Sequence, residues 1–118
     1  MSVWQEKLPH SDTWLIGVNG RLDQGLNPKL EETLNELLDN GHLHLVVDLT
    51  HTSYINSGGL RCLVSAWRRA KNGQGSLALC GLNSRLQEIF AMVGFDKVFT
   101  IHEDCAAARA AGRQKAGS

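Results

Sequence analysis

Apolar residues in this chain occur in two kinds of run. Short contiguous or alternating runs, over Val3 to Leu8, Thr13 to Val18, Leu45 to Asp48, Ser76 to Cys80 and Lys97 to Ile101, predict strands. Longer runs repeat at every third or fourth residue: Leu30, Leu34, Leu37 and Leu38; Leu60, Leu63, Val64 and Trp67; Leu86, Ile89, Phe90 and Val93. That spacing is the buried stripe of an amphipathic helix. Glu103 to Ala111, rich in alanine, predicts one last helix.

Turn-forming residues mark the joins. Pro9-His10-Ser11-Asp12 predicts a hairpin between the first two strands, and Gly20 releases the second strand into a loop. Trp14, Ile16 and Val18 share one face of that second strand, and Leu15 and Gly17 the other, so both faces are expected to be covered. Asn27 followed by Pro28 opens the first helix as cap and first helical residue, and Asp39-Asn40-Gly41 ends it. Asn72-Gly73-Gln74-Gly75 breaks the second helix, Ser84 with Gln87 reads as a capping box for the third, and Gly94 closes that one. From Leu43 onward strands and helices alternate, which predicts right-handed crossovers and a locally parallel sheet. With the initial hairpin, the expected class is α/β with a mixed sheet and helices packed against it. The domain is expected over residues 1–111, and residues 112–118, almost without apolar content, as a frayed tail.

The most informative join is the central one. The strand at Leu45 to Asp48 is followed by a short loop that leads to Tyr54-Ile55-Asn56, and the helical period begins at Leu60, so the helix starts close to Ser57. A serine there caps the first N–H groups, with its hydroxyl at the positive end of the helix dipole. Gly58 and Gly59 are expected to leave the nearby backbone uncovered and easy to approach.

Bulk properties narrow the function. The chain has 118 residues, enough for one core, and 12 Lys plus Arg balance 12 Asp plus Glu, so no net field draws it to nucleic acid or an anionic membrane. Cys62, Cys80 and Cys105 are an odd number without paired spacing, which predicts reduced thiols and no disulfide framework. No signal-like segment or spanning run is present, and a cytoplasmic location is expected.

Other chemistry fits less well. His42, His44 and His51 lie close together, with the first two on one strand face, but lack the spacing of a metal site. A hydrolase elbow needs Gly two residues before Ser57, where Ile55 stands, and no glycine-rich stretch has the spacing of a phosphate-cradling loop. Arg61, Arg68, Arg69 and Lys71 form a basic side to the second helix that could meet an acidic partner or simply complement the helix dipole.

The order Asp48-Leu49, a short loop, then Tyr54-Ile55-Asn56-Ser57-Gly58-Gly59-Leu60-Arg61 resembles the STAS domain family, the sulphate-transporter and anti-sigma-factor-antagonist domains. Val18-Asn19-Gly20-Arg21-Leu22-Asp23, Leu79-Cys80-Gly81-Leu82 and Ile89 to Phe95 resemble the family's other stretches in the same order, so the match spans nearly the whole chain. The resemblance implies a non-enzymatic, cofactor-free binding protein that is phosphorylated on Ser57 by a partner serine kinase. That kinase would also be the anti-sigma factor it binds, and a serine phosphatase would reset it. Asp23, Asn56, Ser57, Gly58, Gly59, Leu60 and Arg61 would form the partner-binding surface, with weak homodimer formation a further expectation. Asn56 and Gly58 stand where many antagonists have an acidic residue and a second serine. The alternative is a constitutive adaptor subunit of a transporter or signalling assembly, with Ser57 only a cap.

Overall fold

The computed structural model describes residues 1–110. The tail expected at 112–118, and the domain limit at 111, lie outside the described residues. The elements are β1 (Ser2–Lys7), β2 (Thr13–Leu22), α1 (Asn27–Asp39), β3 (His44–Asp48), β4 (Thr52–Ile55), α2 (Ser57–Asn72), β5 (Ser76–Cys80), α3 (Ser84–Met92), a 3-10 turn (Phe95–Lys97) and β6 (Thr100–His102). A further helix, α4, is described over 105–110. The expected α/β class with a mixed sheet is the one observed.

Five strands run in the order β1-β2-β3-β5-β6, and β4 pairs with the far end of β2. Among the described strands only β1 and β2 are antiparallel; the remaining pairs are parallel, as the alternation of strands and helices requires. β2 is the long member, because it pairs with two strands in series. Its first half, Thr13 to Gly17, lies beside His44 to Asp48 of β3, and its end, Gly20 to Leu22, beside Thr52 to Ile55 of β4. Gly20 therefore does not end the strand. It sits within it at φ 128°, at a register irregularity that re-aims the last residues onto β4. Reading a short loop before Tyr54 missed β4, whose four residues are too few to carry a period; Thr52 and Ile55 are buried, and the Thr52 hydroxyl donates to Val18 O at 2.9 Å.

One face of the sheet carries the main core. Ile16, Val18, Leu45, Val47, Leu77 and Leu79 meet Leu30, Leu34 and Leu37 of α1, Leu60 and Leu63 of α2, and Leu86 and Phe90 of α3. The alternate residues Leu15, Val46 and Cys80 face the other way, where they join Leu8 and Ala108 in a smaller cluster. Trp4 lies over Gly17 on the neighbouring strand, and a Cβ there would run into its indole. Both faces of β2 are covered, as its alternation predicts.

Three local expectations need correction. The caps fall one residue early: Asn56, not Ser57, caps α2, and Asn83, not Ser84, caps α3, each accepting from the N–H three residues on. Gln87 reaches back to Leu82 O instead of completing a box. Asn27 does not cap α1; its side chain is taken by Asn56, although Pro28 does open the helix. The last strand is shorter and later than Lys97 to Ile101, because Phe95 to Lys97 wind into the 3-10 turn and Phe99 is buried against Phe90, Phe95 and Trp67. Val93, placed in the α3 stripe by spacing, caps that helix and is exposed.

The cysteines also depart from expectation. Cys80 and Cys105 form a disulfide, and only Cys62 is free. Sequence spacing could not show this, because α4 folds back across the sheet to bring the two Cα atoms within 5.1 Å.

Candidate functional site

The site forms where β4 passes into α2. Pairing of Leu22 with Ile55 sets the ends of β2 and β4 side by side, and Asn56 N–H donates to Leu22 O at 3.0 Å. Asn56 is still extended, with φ −100° and ψ −178°, and its side-chain oxygen accepts from Gly59 N–H at 3.0 Å. The same oxygen accepts from the Asn27 amide of α1 at 2.8 Å, while Asn56 O takes the Leu60 N–H at 3.0 Å. One residue thus ties together a strand end, a helix start and a neighbouring helix.

Ser57 follows as the first residue of α2, exposed. With Asn56 acting as cap, none of the described residues hydrogen-bonds its hydroxyl, and none stands as a base beside it. Such an oxygen is not activated as a nucleophile in the manner of a hydrolase. It stands instead among the first N–H groups of a 16-residue helix, a position that favours added negative charge.

The residues singled out in the sequence divide by direction. Asp23 comes to the same end of the sheet as Ser57, two-fifths exposed, with its carboxylate shared between Arg21 Nε at 3.5 Å and Gly25 N–H at 3.1 Å. Arg61 is exposed. Leu60, in contrast, belongs to the core, and Gly59 is buried. The two glycines do not clear space for an approaching molecule. A Cβ at Gly58 would stand 2.8 Å from Asn27 Nδ2, and one at Gly59 would stand 2.7 Å from Ile55 Cγ1 and 3.0 Å from Asn27 Oδ1. They make room for Asn27 from within.

Two grooves flank the helix start. One, of about 490 Å³, runs toward α3 past Tyr54, Ser57, Arg85, Glu88 and Met92. The other, of about 370 Å³, lies between α1 and α2 along Asn27, Glu31, Gly58, Arg61 and Cys62. Ser57 lines the first and Arg61 the second, so the structure does not bring them into one groove. In the second groove burial, reinforced by the Glu31 carboxylate, pushes the Cys62 thiol up from its ordinary pKa.

Sequence reading missed one feature here. Arg21 lies over the Tyr54 ring at 4.6 Å and Arg85 is 5.6 Å from the same ring, an aromatic held by two cations beside Ser57. Arg21 meets Tyr54 only because β2 and β4 pair them in register, so no local pattern could have found it. Of the other basic residues, Arg69 is engaged by Asp39 at 2.7 Å and by Asn35. His42 stacks near Trp14 while His44 meets Ser76 Oγ at 3.3 Å, so the two have different partners. The described residues hold one close group of three metal-ligating side chains, Asp48, Cys80 and Cys105, and two of these are the disulfide.

The STAS domain family pattern matches residues 7–108. The chain belongs to the STAS domain family. Within it, the anti-sigma-B factor antagonist of Listeria monocytogenes is 34% identical over 86 residues, covering 73% of this chain and 75% of that one. This STAS domain is thereby a member of the anti-sigma factor antagonist group, whose members are non-enzymatic binding proteins. Solved structures agree in fold. A crystal structure of an anti-sigma factor antagonist from Mycobacterium paratuberculosis superimposes with a TM-score of 0.84 at 20% identity, covering 95% of this chain and 93% of that one. The Bacillus cell fate determinant SpoIIAA, in its phosphorylated form, does so with 0.73 at 14% identity, covering 93% and 99%. No described helix of this STAS domain is long and apolar enough to cross a membrane.

Proposed function

We propose that this STAS domain is a phosphorylation-controlled switch: with Ser57 bare it binds an anti-sigma factor that is also a serine kinase, and with Ser57 phosphorylated it lets go. Binding would withdraw the anti-sigma factor from its sigma factor and so release transcription, and a serine phosphatase would restore the bare state. The observation that carries this reading is the exposed, unbonded Ser57 hydroxyl at the first position of α2, with capping already done by Asn56.

The physics of the two states differs in the way a switch needs. A near-dianionic phosphate at a helix N-terminus is tolerated or favoured by about 0.3–1 kcal/mol, so the domain keeps its fold. The same charge within a contact surface must be desolvated or repelled, and a loss of roughly 3 kcal/mol there lowers affinity about a hundredfold. Asp23, Asn56, Gly58 and Arg61, all at least partly accessible around Ser57, would complete the surface. Gly59 and Leu60 would shape it from beneath.

Incubation with ATP and the cognate anti-sigma factor kinase, followed by mass spectrometry, should place one phosphate on Ser57. Ser57→Asp should then lose binding to that partner while Ser57→Ala keeps it. Equal binding by both variants would overturn the switch and leave a constitutive adaptor.

A further inference from the structure

Cys80 ends β5 with no exposed surface, and Cys105, its disulfide partner 25 residues on, is half-buried at the start of α4. The two sulfurs are therefore unequal: one faces the small apolar cluster and the other can be reached from solvent. The described part of α4 has little else to hold it. Ala108 is its one buried side chain, and Arg109, itself partly buried, reaches the exposed Glu6 only at 3.9 Å. An ion pair of that length between groups open to solvent contributes little. Beneath it lie Leu8, Leu15 and Val46, all buried, with Trp4 and Ala78 packed beside them. The Thr50 hydroxyl, 3.6 Å from Cys105 Sγ, and the Asp48 carboxylate border the bond on its open side.

We propose that Cys80–Cys105 is a thiol-exchange site, with Cys105 the sulfur attacked by a small dithiol and α4 the element released when the bond opens. A thiolate of the reductant bonds to Cys105 Sγ as the Cys80–Cys105 bond breaks, and the electron pair leaves on Cys80, which takes a proton. The reductant's second thiolate then displaces Cys105 and closes its own disulfide. Two electrons have passed to the protein, which holds two thiols. Attack at Cys80 is blocked by its burial. Cys62, held protonated in the α1–α2 groove, takes no part. Opening uncovers the apolar face of Leu15 and Val46 and frees the residues that follow Cys105. The site lies on the sheet face opposite the main core and does not depend on the reading of Ser57.

The test uses the whole chain prepared without reductant. Iodoacetamide should modify Cys62 alone, and all three cysteines after dithiothreitol. Amide exchange over 105–110 should rise by about tenfold or more on reduction, as the cross-link is lost. Cys105→Ser, which replaces no fully buried side chain, should show the fast exchange without reductant, and Cys62→Ser should behave as the parent does. Oxidised glutathione added to the reduced chain should reclose the bond, and in Cys80→Ala, which has no thiol to displace the glutathione, it should be trapped on Cys105. Three reactive thiols persisting after oxidised glutathione is added to the reduced parent, no glutathione on Cys105 of Cys80→Ala, or unchanged exchange over 105–110 on reduction would each overturn the proposal.

Discussion

Asn27 of α1 donates its side-chain amide to the side-chain oxygen of Asn56 across 2.8 Å, and that same oxygen caps α2 through Gly59 N–H. The two residues are 29 positions apart, and their bond fixes the start of α2 against α1. It also relieves Ser57 of the capping that a serine at this join would otherwise perform.

Asn56→Ala is accordingly expected to lower stability by about 1–2 kcal/mol, since it removes the cap and leaves the Asn27 amide without its acceptor. Asn56→Asp should keep both bonds and add a negative charge at the helix start, raising stability by about 0.3–1 kcal/mol at neutral pH. Urea unfolding of the two variants with the parent measures both, and opposite signs are the expected result.

Gly59→Ala is expected to destabilise, although alanine is ordinarily the better helix residue by about 0.5–1 kcal/mol. Its Cβ would stand 2.7 Å from Ile55 Cγ1 and 3.2 Å from Leu22 Cβ, so the helix start must move away from β2 and β4. Overpacking of this kind costs about 1–3 kcal/mol. A thermal melt showing Gly59→Ala at or above the parent would contradict the packing described.

Gly17→Ala should displace the Trp4 indole from its place over β2. Tryptophan fluorescence should shift to the red as the ring gains water, with a stability loss of about 1–3 kcal/mol. Trp4→Ala in the same background should recover part of that loss, because the colliding group is gone.

Cys62 gives a pH dependence with a definite sign. Its folded pKa is raised above the ordinary value of 9.0, first by burial and then by Glu31, so the folded protein holds the proton longer than the unfolded chain. This contribution to stability is constant below that ordinary value and falls as pH rises through it. Alkylation of Cys62 should be slow at pH 8, and Glu31→Gln should speed it by removing the repelling charge.

What the sequence disclosed follows from how local each signal is. The stripes of α1 and α2, the parallel order from β3 onward and the two-sided burial of β2 rest on period and alternation, which survive without knowledge of partners. The expectation of a helix start close to Ser57 agrees with α2, but the expected cap does not, because Asn56 and Ser57 are both good capping residues and only the Asn27 contact decides between them. β4, the Arg21–Tyr54 contact and the Cys80–Cys105 bond were hidden for one common reason. Each joins stretches distant in the chain, and nothing in either stretch alone announces the other.

The in-line arrangement of β3 and β4 along a single strand makes Asp48 to Thr52 a spacer with a fixed span. Inserting one residue there would leave β3 seated while β4 slid by half a pleat, turning Tyr54 inward and Ile55 outward and carrying the Ser57 oxygen to the wrong side of the sheet's end. Where that oxygen points is thus governed by a length count several residues upstream, in a segment that bears none of the site's chemistry.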